Sequence, residues 1–415
     1  MSINENSNNN YHSPGKWWVM LGVGLGVLMF TIDTSIVNIA LPTLVQVFHT
    51  DFATIQWVVL SYLLVVTALV LGAARLGDML GKKNLYLSGL VVFTFSSLLC
   101  GLAPRVGWLI GFRALQGLGA VMISALGAAI VTEVFPSSER GRALGIIGAV
   151  VSLGVALGPT VGGLLIGLSD WRAIFLVNVP IGIFASFVVA RSVPSSTKNP
   201  AKQRFDGLGA LIMTVILVCF CLGMTYGQNH GFGSSTTVVL LLITILGLMG
   251  FLWIESRIKQ PMLDLRLFRN LKFSLSLLTG LLVFSAITGV IFVVPFFLEL
   301  VLHYPTQLVV PFGIGFGMFQ SPNNSAILGE VPPERLGIAS GLLSLSRTLG
   351  QTTGLPLLAA LFAVLTLSHS SAVDVTKAPP EALVFGLQNT FRIAALVLFA
   401  ATVVVTFLWR MERRE

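Results

Sequence analysis

An aspartate and an arginine interrupt stretches that are otherwise fit for hydrocarbon. Asp33 lies in the middle of LMFTIDTSIVNIALP (28–42), and Arg113 lies within LIGFRALQGLGA (109–120). An ionised side chain at membrane depth costs at least about 2.5–3.5 kcal/mol on insertion scales, so a partner, a wet cavity or a function must hold it there. Low-dielectric surroundings penalise the charge of a carboxylate, which suits a carboxyl there to taking up and releasing protons. Asp33 is therefore a candidate for proton coupling; the plainer alternative is an acid solvated near a helix end. A guanidinium keeps its proton. Arg113 would pair with a carboxylate or a carbonyl, either to tune a nearby acid or as a structural ion pair. Asn38, on the same run as Asp33, and Gln116, one turn from Arg113, are candidate polar groups of a substrate cavity.

Three further charged positions carry expectations. Glu299, in VVPFFLELVLHY (293–304), is a secondary acid candidate or an acid solvated at the outer end of its run. Arg347 either lines a cavity or pairs with a carboxylate. Asp78 lies in GAARLGDMLGKK (72–83), among Gly72, Gly77, Gly81 and the basic residues Arg75, Lys82 and Lys83. Those glycines permit a tight turn and a close helix approach. The cysteines, Cys100, Cys219 and Cys221, all fall in apolar runs and suggest neither a disulfide framework nor a metal site. The sequence shows no nucleophile–base pair, metal-ligand cluster or phosphate-binding loop, so it reads as no enzyme and calls for no metal or cofactor.

The elements that must position these groups follow from composition. Of the 415 residues, 55% are hydrophobic and 10% charged, with a mean hydropathy of +0.89. A soluble chain carries about 25% charged residues, so this one is an all-α polytopic membrane protein. Since about 20 apolar residues cross the hydrocarbon core, twelve spans are expected. They fall near 17–40, 55–75, 85–103, 107–131, 142–168, 172–192, 207–226, 236–254, 273–300, 308–329, 338–366 and 384–408. With the N-terminus inside, nineteen of the 25 basic residues fall on the inner side, and only Arg105, Arg172 and Lys377 fall in outer loops. That bias puts both termini in the cytoplasm. The net charge of +8 then faces anionic headgroups, and nothing suggests nucleic acid.

The chain divides at its polar breaks. Residues 1–16 read as a disordered cytoplasmic tail, 17–192 as six spans and 193–206 as a basic, proline-containing linker. Residues 207–254 give two more spans, 255–272 an amphipathic inner loop, 273–408 the remaining four spans and 409–415 a cytoplasmic tail. EVFPSSERGRALG (133–145) and EVPPERLGIASG (330–341) echo each other on the inner side; repeated halves are how many secondary transporters are built.

These motifs together resemble the major facilitator superfamily. GAARLGDMLGKK is similar to its cytoplasmic loop motif between helices two and three, LIGFRALQGLGA to its fourth-helix motif with the buried arginine, and GVALGPTVGG (154–163) to its fifth-helix antiporter motif. TIDTSIVNIALP (31–42), DWRAIFLVNVPIG (170–182) and PMLDLRLF (261–268) resemble the drug:proton antiporter branch with fourteen spans, related to the QacA and EmrB type. The resemblance covers most of residues 17–408. It implies a bundle of 6 + 2 + 4 spans, substrate between two halves and alternating access by rocking. It assigns proton coupling to Asp33 and Arg113, a conformational gate to Gly72, Arg75, Asp78 and Gly81, and an antiporter helix to Gly154, Gly158, Pro159 and Gly162.

Two spans of that branch have no counterpart here. ELVLHYPTQ (299–307) resembles the end of one helix, and the residues after it resemble the approach to the last but one. The C-terminal half would then hold four helices, and a membrane partner could cover the incomplete bundle. The expected function is proton-driven export of hydrophobic or cationic small molecules, that is, multidrug efflux in a bacterial cytoplasmic membrane. A specific metabolite exporter, or a non-transporting remnant or partner subunit, are the alternatives. In the fifth span, Gly154, Gly158 and Gly162 repeat every four residues on one helix face, so another backbone can come close. Pro159 should bend that helix and free a carbonyl for another partner.

Overall fold

The computed structural model describes residues 15–136, 138–194, 207–258, 268–301, 327, 336–372 and 374–412. All regular structure among them is helical. The first helices are α1 (Gly15–Phe48), the short α2 (Phe52–Ile55), α3 (Trp57–Leu80), α4 (Lys82–Gly101), α5 (Val106–Val134) and α6 (Arg140–Leu168). After the short α7 (Ala173–Leu176) come α8 (Asn178–Ser192), α9 (Gly207–His230), α10 (Ser235–Glu255) and α11 (Leu271–Leu300). The last two are α12 (Leu336–Leu367) and α13 (Pro380–Glu412).

Eleven described segments are long and apolar enough to cross a membrane. They coincide with eleven of the twelve expected spans; the expected span at 308–329 lies outside the described residues, Ile327 apart. The linker from 195 and the inner loop at 259–267 lie outside them too. So does the first half of the second echo motif, residues 330–335. Helix α1 begins at Gly15, so Lys16 is helical rather than part of a loose tail. Its ammonium reaches Glu139 at 2.8 Å, which explains the earlier start.

Local signals set several helix ends. Asp51 accepts from the Thr54 N–H at 2.5 Å and starts α2. Ser234 and Asn270 cap α10 and α11 in the same way. Gly81 joins α3 to α4 at φ 96°, a backbone angle that side chains strain against.

Packing places α1 at the centre. It contacts α5, α6, α8 and α11. Helix α3 packs on α5 and also on α12 and α9, while α12 packs on α11 and α13. Helices α10 and α13 instead present Leu246, Met249, Trp253, Leu396, Phe399 and Phe407 outward. Such contiguous apolar faces would be a liability in water and suit lipid.

Candidate proton and substrate site

Helix α1 carries Asp33 into the protein interior, where its side chain has no solvent exposure. Two helices supply three donors to it. Arg113 Nη1 of α5 reaches Asp33 Oδ2 at 2.5 Å. Gln116 Nε2, also of α5, and Asn178 Nδ2 of α8 both donate to Oδ1 at 2.9 Å. Gln116 Nε2 lies 2.8 Å from Ser97 Oγ of α4 as well, and its Oε1 accepts from Arg113 Nη1 at 2.6 Å. Cys100 of α4 lies 3.8 Å from that oxygen.

Arg113 has other holds besides Asp33. Its Nε donates to the Val58 carbonyl of α3 at 3.0 Å, and its guanidinium lies 4.3 Å from the centre of the Tyr62 ring. A charge pair taken out of water is tolerated when hydrogen bonds satisfy its remaining lone pairs and protons. Here five membrane helices contribute those bonds.

The sequence singled out Asp33, Arg113 and Gln116, and the structure brings all three together. It places Gln116 inside the cluster, fully buried, rather than on a cavity wall. Asn178, Ser97, Tyr62 and Val58 were not anticipated. Asn178 left one faint signal, an amide within the apolar run of residues 173–192.

A cavity adjoins this cluster. Helices α1, α3, α6, α11 and α12 wall it with residues that include Phe30, Thr34, Asn38, Leu63, Thr288 and Arg347. Asn38 is among the residues that line it. Its Nδ2 donates to the Thr34 carbonyl at 3.0 Å, while its buried Oδ1 has no protein partner among the described residues. Thr34 links the two sites, because its hydroxyl lies 3.4 Å from Tyr62 OH, on the ring against Arg113. Asp33 is not among the cavity-lining residues.

The glycine face of α6 meets α1. A Cβ on Gly154 would lie 2.1 Å from Thr31 Oγ1, and one on Gly158 2.5 Å from Ser35 Cβ. One on Gly162 would lie 2.7 Å from Ile36. Helix α6 runs unbroken through Pro159. That proline cannot give an N–H to the carbonyl four residues back, Val155. Ser35 Oγ of α1 donates to Val155 O instead, at 3.0 Å. Pro356 repeats the device in α12: the carbonyl it leaves free, Thr352, receives the Cys221 thiol of α9 at 3.7 Å.

Of the expected gate residues, Gly72 is buried in α3 and Gly81 makes the turn after it. The side chains of Arg75, Asp78 and Glu299 lie outside the described residues. At the same end of the helices, Lys82 pairs with Glu133 across α4 and α5. Arg347 lies 5.5 Å from the centre of the Phe30 ring, and no carboxylate pairs with it among the described residues.

Comparison with known proteins gives a consistent picture. The profile of the Major Facilitator Superfamily matches residues 23–355. The riboflavin transporter RibZ of Clostridioides difficile (strain 630) is 30% identical, over 95% of this chain and 98% of its own. The multidrug resistance protein Stp of Mycobacterium tuberculosis (strain CDC 1551 / Oshkosh) is 32% identical, over 87% and 78%. Among solved structures, the inward-facing, occupied form of a bacterial homologue of the human lysosomal transporter Spinster superposes with a TM-score of 0.56. Its identity is 16%, covering 96% of this chain and 97% of that one, so it speaks to the fold alone.

Proposed function

Since the chain belongs to the Major Facilitator Superfamily, a family of integral membrane transporters rather than enzymes, we propose that it is a proton-coupled antiporter exporting small molecules by alternating access. Asp33 carries this reading. It is a fully buried carboxylate held by three donors, one residue from the cavity-lining Thr34. Protonation would cancel its charge and weaken its hold on Arg113. Arg113 would keep Val58 O, Gln116 Oε1 and the Tyr62 ring, so the loss is survivable. What loosens is the tie between α1 and α5. Helix α1 also packs on α6 and α11 and forms part of the cavity wall. Proton and substrate therefore act on one helix, which is the coupling an antiporter needs.

In this proposal α1–α8 rock against the later helices, and the turn at Gly81 serves the gate with Gly72, Arg75 and Asp78. The glycine face around Pro159 is the joint between α6 and α1. Both termini are cytoplasmic, in a bacterial inner membrane. The excess of Lys and Arg at the inner helix ends supports that orientation. The fourteen-span drug:proton branch, shortened by two spans, is supported by alignment length. The match to RibZ extends over 457 positions, more than the 415 of this chain, so the relative carries residues with no counterpart here. Lipid suffices to cover α10 and α13, so no partner subunit is part of the proposal.

The test is dye efflux from proteoliposomes under an imposed pH gradient. Efflux that follows the gradient in the wild type and is lost in Asp33→Asn is expected. Gradient-driven efflux at the wild-type rate in the variant would refute the role of Asp33. A well-folded protein that moves no compound would favour the non-transporting alternative. The similarity to RibZ over nearly all of both chains supports a second reading, a carrier of one metabolite. A compound panel separates the two: movement of riboflavin alone favours the metabolite carrier, and movement of many dyes favours multidrug export.

A further inference from the structure

The cavity wall has a charge that no acid among the described residues cancels. Arg347 of α12 is the lone ionisable side chain lining it among the described residues. The guanidinium makes a ring contact with Phe30 and has no carboxylate partner there. The acid nearest in sequence to the wall, Asp33, faces away into its own cluster and is matched by Arg113. Its pair sums to no net charge. A cationic substrate would therefore meet an unbalanced positive charge in partly desolvated surroundings, where Coulomb repulsion is far less screened than in water. An oxygen anion would meet the opposite, and a guanidinium binds carboxylate-like groups through paired, charge-assisted hydrogen bonds.

Two more features narrow the class. Phe30 offers a ring next to the guanidinium, so a flat aromatic body can lie against the same patch. Asn38 Oδ1, buried and without a protein partner among the described residues, calls for a donor. We infer that the cavity selects aromatic organic anions, with the anionic oxygen on Arg347 and an N–H or O–H of the ligand on Asn38. The cationic compounds expected from the sequence are then disfavoured. This rests on the cavity being the substrate site of the transporter proposed above.

Binding tests it without transport. The probes are two xanthene dyes of similar size, the anion fluorescein and the cation rhodamine 6G. Each is titrated by fluorescence polarisation into the full chain in nanodiscs of zwitterionic lipid, with empty nanodiscs as blank. The wild type should bind fluorescein about tenfold tighter or more, the scale of a hydrogen bond to a charged group. Arg347→Gln should bring the two affinities close to parity. Gln351→Glu sets a carboxylate on the same wall, one turn from Arg347, and should move the preference toward rhodamine 6G. If Arg347→Gln does not fold, Gln351→Glu carries the test. Tighter or equal binding of the cation by the wild type overturns the inference. So does binding of neither dye, or a ratio that the folded variants leave unchanged. Loss of gradient-driven efflux with the anion preference intact would instead refute proton coupling and leave this inference standing.

Discussion

Helices α1–α8 and helices α9–α13 bury polar groups in different ways. In the first set, Asp33, Ser97, Arg113, Gln116 and Asn178 form one network that ties four helices together, with a fifth reached through Val58 O. In the second set no such network is seen among the described residues: Thr279, Thr348 and Thr390 fall back on their own helix, at Leu275 O, Ser344 O and Gly386 O, while Ser346 and Thr352 bond across to α11 and α3. A bond back to the same helix satisfies a donor without linking helices. The same half also holds Arg347, with no acid set against it among the described residues. Close packing, by contrast, is shared. Cβ atoms on Gly154 and Gly158 would collide with α1, and one on Gly354 would lie 2.3 Å from Ser285 O. Both halves thus approach through glycine, and the first holds its buried Asp33 and Arg113 as a matched pair. In the proposed mechanism, proton chemistry belongs to the first set, while the second supplies shape and, among the described residues, an unmatched positive charge.

The largest expected effect tests that division of charge. Arg113→Ala leaves Asp33 buried without its counter-charge and should destabilise the protein by about 3–5 kcal/mol. Thermal unfolding in detergent measures it, and Asp33→Ala in the same chain should restore part of the loss. Arg347→Ala removes a ring contact alone and should stay within about 1 kcal/mol. Equal costs for the two arginines would break the comparison.

Next comes packing. Gly354→Ala must push its new methyl into the α11 backbone and should cost about 1–3 kcal/mol, and Gly158→Ala a similar amount against Ser35. A large cost at one and none at the other would show that the halves do not share this device. The smallest effects concern the proline-freed carbonyls. Ser35→Ala strips the partner from Val155 O and should cost about 1 kcal/mol, whereas Cys221→Ala should cost less, since a thiol is a weak donor. The reverse order in unfolding temperature would count against both assignments.

Much of this was legible along the chain. Apolar runs gave eleven described spans, most of their bounds to within a few residues, because a helix is what hydrocarbon demands of a backbone, although α1 runs on to Phe48 rather than ending near 40. Asp33 and Arg113 stood out because charge is rare at that depth. Asn178 and Ser97 did not, since small polar side chains recur in membrane helices and usually bond to their own backbone. Nothing along the sequence says that residue 178 meets residue 33, or that Gln116 turns toward Asp33 rather than a cavity. The α6 glycine face was visible as a pattern, but its partner was not. The structure shows that partner to be α1, with Ser35 supplying the bond that Pro159 cannot.

The role of Asp33 can be observed as a proton. Infrared difference spectra, taken as the full chain in lipid is acidified, report carboxylic acid groups through their carbonyl stretch. A protonation band should appear within the working pH range, shrink when substrate is added, and be missing from Asp33→Asn. A band that persists unchanged in that variant, or a wild type that shows no protonation at all, would contradict proton coupling through Asp33.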